Sequence, residues 1–156
     1  MTNPIPDDYP RLTPALCVDG ASDAIEFYTA VFGTNERLRL EDAGKVGHAE
    51  LELDGSLIMI SDEYPEIGVV GPTALGGTAV SLNVYVEDVD AVFAAALAAG
   101  ATELRPVTEQ FYGDRAGMFL DPWGHRWGVA SRIEDVDAEE MAKRAAEAMS
   151  ASNDKE

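Results

Sequence analysis

Three landmarks of this chain recur at nearly constant spacing, and that restricts it to folds built from a duplicated unit. Val18 returns as Val86 after 68 residues, Gly33 as Gly100 after 67, and Gly55 as Gly124 after 69. The segments between the landmarks repeat in the same order. In the first copy, residues 12–18 (LTPALCV) read as a strand. After Gly20 the spacing of Ile25, Tyr28, Val31 and Phe32 predicts a helix with one inward face, which Asp19 or Ser22 can cap and Gly33 can close. Residues 36–40 and 48–53 follow as strands, the second alternating strictly between polar and apolar, and the turn Asp54-Gly55 joins it to a strand over 56–61. The second copy has a strand at 80–86 and a helix capped by Asp88 that carries Val89, Val92, Phe93, Ala96 and Leu97 inward before Gly100. Strands then fall at 103–106, 116–120 and 126–131, the last two joined by the turn Asp121-Pro122-Trp123-Gly124.

The expected organisation is therefore α+β, with two βαβββ repeats forming curled mixed sheets around a cavity, plus a C-terminal helix. A single domain over residues 1–150 would hold the first unit at about 11–62, a linker at 63–78 rich in glycine and proline, and the second unit at 79–132. The sequence Asp137-Ala138-Glu139-Glu140 resembles a capping box, so 133–150 reads as the last helix with Met141, Ala145 and Met149 as its stripe, and 151–156 as a frayed tail.

At 156 residues and 46% hydrophobic content the chain can bury a core. Its 29 acidic and 11 basic residues leave a net charge of −18, which repels phosphate backbones, so no nucleic-acid partner is expected. The same charge serves solubility or attracts a cationic ligand. No signal peptide and no membrane span are read from the sequence, and a cytoplasmic location is expected. The one cysteine, Cys17, leaves no intramolecular disulfide and no cysteine-rich zinc site; it reads as a small strand residue or a reactive thiol. There is no Ser-His-acid order, phosphate-cradling glycine loop or HExxH helix.

The runs AIEFYTAVFG (24–33), VEDVDA (86–91) and DPWGH (121–125) resemble the vicinal oxygen chelate superfamily of glyoxalases, bleomycin-resistance proteins and dioxygenases. With YGDR (112–115) and EDVDAEEM (134–141), the chain is most similar to its PhnB-like branch over roughly residues 11 to 150. The resemblance implies curled half-sheets with helices outside and a ligand cavity inside. It also implies that metal-using members place His or Glu at positions that fall here near Thr13, Ser81 and Gly128 and within 57–61. None of these is an acid or a histidine. The usual metal centre is thus expected to be missing, and with it glyoxalase or extradiol dioxygenase activity.

Strand parity supplies the candidate site residues. Ser81, Asn83 and Tyr85 share a face and offer a hydroxyl, an amide and a phenol to a ligand. On the third strand His48, Glu50 and Glu52 share the face opposite Ala49, Leu51 and Leu53, so His48 and Glu50 are the candidate general acid/base pair, or half of a relocated metal site. Asp114 and Arg115 either pair with each other or clamp an anion. Tyr112, Trp123 and Trp127 are core residues or stacking surfaces, and His125 holds its own turn. Three functions follow, the last and blandest being a paired structural or regulatory module whose cavity has lost its ligand. The first is a metal-free protein that binds or sequesters a small organic ligand such as an antibiotic, needing no cofactor. The second is a lyase or isomerase using His48 and Glu50, by acid/base chemistry or with a divalent metal. Sheet edges that need covering make a homodimer the expected assembly.

Overall fold

The computed structural model describes residues 2–153. Its elements follow the predicted order: β1 (Ala15–Val18), α1 (Ala21–Phe32), β2 (Asn35–Asp42), β3 (Lys45–Leu53), β4 (Ser56–Asp62), a short α2 (Pro72–Leu75), β5 (Ser81–Tyr85), α3 (Val89–Ala98), β6 (Thr102–Glu109), β7 (Asp114–Leu120), β8 (Arg126–Arg132) and α4 (Ala138–Asn153). Two four-stranded sheets result, ordered β1-β4-β3-β2 and β5-β8-β7-β6, each with its first and last strands parallel and its other pairs antiparallel. The chain divides into two units. One comprises residues 1–80 together with the turn 121–125, and the other comprises 81–120 and 126–156.

The duplication holds at the level of single hydrogen-bonded rungs. In the first sheet Ala15, Met59, Glu50 and Leu38 lie side by side across the four strands. In the second, Asn83, Gly128, Met118 and Arg105 occupy the same rung. Each unit packs a helix against one face of its sheet. Ala24, Ile25, Phe27, Tyr28 and Val31 of α1 are buried in the first unit, as are Val89, Phe93 and Ala96 of α3 in the second.

Several local readings need correction. The first strand starts at Ala15, because Pro10 and Pro14 have no amide to pair and Leu12 is exposed. The start of α1 is capped by neither Asp19 nor Ser22. Asp62, at the end of β4, accepts hydrogen bonds from the Gly20 and Ala21 amides through Oδ1 and from the Val46 amide through Oδ2, tying α1, β3 and β4 together. Asp88 caps α3 as expected, through the Ala91 amide. The 63–78 segment holds a 3₁₀ turn at Pro65–Ile67 and the short α2. Helix α4 begins after Asp137, whose Oδ1 accepts from the Glu140 amide, and continues through residues 151–153; residues 154–156 of the expected tail lie outside the described ones. Its stripe is not a buried one, for Met149 is 72% exposed.

Candidate functional site

The inner face of the second sheet encloses a concavity of about 510 Å³, within the range of small-molecule sites. Strand β5 contributes Asn83 and Tyr85 to its wall, and the turn before β7 contributes Tyr112. Pro106, Met118 and Val129 make the apolar part of the wall. Gly128 lies under Asn83: a Cβ there would collide with the Asn83 Oδ1, so glycine is what lets this amide lie flat across β8. At one end Asp114, 2% exposed, accepts a hydrogen bond from the Tyr85 hydroxyl at 2.6 Å and another from Arg132 Nε at 2.7 Å. That bond to Asp114 holds the Arg132 guanidinium above its ordinary range. Burial, reinforced by the nearby Asp114, pushes the Tyr112 phenol up and keeps it a neutral hydrogen-bonding group.

The YGDR turn owes its shape to Gly113. With φ of 93° it takes a conformation side chains rarely adopt, a Cβ there would meet the Glu134 carbonyl, and its own carbonyl accepts from the Ile133 and Glu134 amides. Asp114 and Arg115 do not pair with each other. As neighbours on a strand they point to opposite faces, Asp114 to Arg132 and Arg115 to a two-toothed ion pair with Asp90 at 2.8 Å on α3. Arg115 is therefore structural and lies outside the cavity wall. Trp127, 1% exposed, belongs to the core beside Phe119, and Ser81 sits on the face of Asn83 without lining the cavity.

In the first unit His48 and Glu50 occupy the rungs that Ala116 and Met118 hold in the cavity wall of the second. The structure does bring them together, with His48 Nε2 donating to Glu50 Oε1 at 3.1 Å. Glu50 is 2% exposed and also accepts from the Tyr9 hydroxyl at 2.8 Å, while Arg37 Nε stands 3.4 Å from its other oxygen. Hydrogen bonds from His48 and Tyr9, with the Arg37 charge, hold its carboxyl below the ordinary range despite burial. The Tyr9 phenol is raised for the reciprocal reason. Arg37 further bonds the Asp8 carbonyl and stacks over the Tyr9 ring at 4.7 Å, so this carboxylate anchors the N-terminal segment to the sheet.

Of the remaining candidates, burial and the charge of Glu63 push the Cys17 thiol up, so it stays protonated and serves as a strand residue. His125 does more than hold its turn: its amide donates to Asp121 Oδ1, while its ring donates to the Cys17 carbonyl at 2.9 Å. Trp123 packs edge-on against Phe27 and donates its indole N–H to the Asp19 carbonyl. The residues that sequence reasoning missed are Arg105, Thr108 and Gln110, all in the cavity wall.

The profile of the glyoxalase/bleomycin resistance protein/dioxygenase superfamily matches residues 12–129. The chain belongs to that superfamily. Uncharacterized proteins of Mycobacterium bovis and Mycobacterium tuberculosis are 40% identical over 136 residues, covering 85% of this chain and 90% and 80% of theirs. Among solved structures, TioX from Micromonospora sp. ML1 superposes with a TM-score of 0.62 at 27% identity, over 80% of this chain and 99% of that one. A PhnB protein from Bacillus cereus gives 0.62 at 25% identity, over 78% and 99%.

For a superfamily member the fit of a metal centre is a matter of donor chemistry. Register fixes the position left open within 57–61: Met59 holds in the first sheet the place that Gly128 holds in the second. Thr13, Met59, Ser81 and Gly128 then offer two hydroxyls, a thioether and no carboxylate or imidazole. Among the described residues no three His, Cys, Asp or Glu side chains are grouped to hold an ion, and beside His48 the Glu50 carboxylate is already engaged by the Tyr9 hydroxyl and the Arg37 guanidinium. These residues do not fit the metal centre of the superfamily's metal-using members.

Proposed function

We propose that this protein binds a medium-sized organic molecule in the concavity of its second unit, without the usual metal centre, as a sequestering protein does. The observation that carries this reading is the 510 Å³ cavity itself, walled by phenols, amides and apolar side chains in a sheet whose other face is sealed by α3. Calorimetry against glycopeptide, thiopeptide and quinone antibiotics together with simpler aromatic ligands tests it. Saturable heats abolished by a bulky substitution at Met118 are expected, and silence across the whole panel would sink the reading.

A second reading, acid/base catalysis as a lyase or isomerase, is favoured by one observation, the 3.1 Å bond between His48 and Glu50. It requires His48→Ala to abolish turnover; an unchanged reaction profile in that variant, in protein free of bound metal by elemental analysis, counts against it. A homodimer is part of the proposal, because edge strands β2 and β6 expose Leu38, Leu40 and Leu104. Light scattering at a monomer mass would remove it. Among the described residues no helix is long and apolar enough to cross a membrane, and a cytoplasmic location is proposed, to be checked by cell fractionation.

A further inference from the structure

The charges in this protein are unevenly satisfied. Arg37, Arg39, Arg115, Arg132 and Arg144 are each bound to a carboxylate within 3.5 Å, as acidic excess would dictate. Arg11, Arg105 and Arg126 are not, and of these three only Arg105 lines the cavity, where it is exposed and none of the described residues gives it a hydrogen bond or ion pair. The cavity's own carboxylate is already committed, Asp114 Oδ2 to Tyr85 and Oδ1 to Arg132. The acidic neighbours of Arg105 on β6, Glu103 and Glu109, do not line the cavity. The wall therefore presents a planar guanidinium with its donors free, beside the apolar Pro106 and Met118, and no free carboxylate to compete for it.

Its position on the sheet adds a second element. Asn83, Gly128, Met118 and Arg105 form one rung, so the amide and the guanidinium stand at the two ends of a line across four strands. Three interstrand steps of roughly 4.8 Å separate them by ~14 Å along the sheet, with a thioether and a glycine gap between. We propose that the ligand of this cavity carries a carboxylate or similar planar anion, held by Arg105, on an apolar body that lies over Met118 and reaches toward the Asn83 amide. This rests on the reading of the second unit as a small-molecule site and names the ligand's class. The net charge of −18 points instead to a cation. That field acts at long range, where salt screens it beyond ~8 Å, whereas a bidentate contact at Arg105 acts well inside that distance and is screened less. Contact therefore selects the anion, and the acidic surface slows its arrival.

Matched acid, primary amide and amine on common bodies separate these outcomes; naphthaleneacetate, naphthaleneacetamide and naphthylethylamine make a first triplet. Binding is followed by chemical-shift changes at the amides of Arg105, Met118 and Gly128. The acid is expected to bind at least tenfold more tightly than its amide, Arg105→Gln to remove about tenfold of acid affinity while leaving the amide within twofold, and Arg105→Lys to restore part of the loss. Equal binding of acid and amide, tighter binding of the amine, or an unaltered acid in Arg105→Gln overturns the anion assignment and leaves the binding site standing. No shift changes with any body would overturn the site itself, and the assignment with it.

Discussion

Glu50 is the residue where the two functional readings meet. A buried carboxylate that accepts from His48 and Tyr9 and faces Arg37 has its lone pairs committed, and its pairing with His48 serves attachment of residues 8–9 as directly as it serves chemistry. Because its folded pKa lies below the unfolded value of about 4.3, its contribution is fully present above that value and lost as the pH falls through the folded one. Urea titrations below about pH 5 are expected to show stability falling in the wild type and falling less steeply in Glu50→Gln. Identical slopes would mean that Glu50 is as exposed in effect as any surface acid. The pairing was legible in advance, since residues two apart on a strand share a face. Arg105 was not. Pro106 has no amide to give the ladder, β6 bulges on both sides of Arg105, and the period-2 count that marks a face loses its phase there.

At the scale of elements, the most informative departure from local rules is the start of α1. Helix caps are read from the residues just before a helix, but here the acceptor comes from β4, and one carboxylate serves three amides on two other elements. Asp62→Ala should cost about 2–4 kcal/mol by leaving these donors unpaired, well above the ~1 kcal/mol of an ordinary cap. Equilibrium unfolding measures it, and a loss below about 1 kcal/mol would show that water replaces the carboxylate at no great cost. Helices with strong inward spacing and closing glycines were placed within a residue or two. Strand ends were less legible, because a strand stops where its partner stops, and partners such as β1 and β4 are far apart in sequence.

For the whole molecule, the repeat in the sequence is a repeat of rungs, yet it does not mark two separable halves. The turn 121–125, from the second copy, belongs to the first unit, where Asp121 accepts from the buried Tyr28 hydroxyl at 2.5 Å and Trp123 and His125 reach the carbonyls of Asp19 and Cys17. A fragment of residues 1–80 lacks all of these and is expected to show no cooperative thermal transition by circular dichroism, whereas the full chain should show one. A sharp melt of the fragment would contradict this. By itself the sequence determined the duplicated unit, the order of its elements, the faces of its helices and the lack of acids or histidines at the family's metal positions, because these depend on local period and residue type. Only the tertiary structure decided which charges were already paired. Asp114 is spent on Arg132 and Tyr85, Arg115 on Asp90, and the arginine of the cavity wall, Arg105, is left unpaired, since ion pairing depends on strand register and bulges that bring distant residues within a few ångströms.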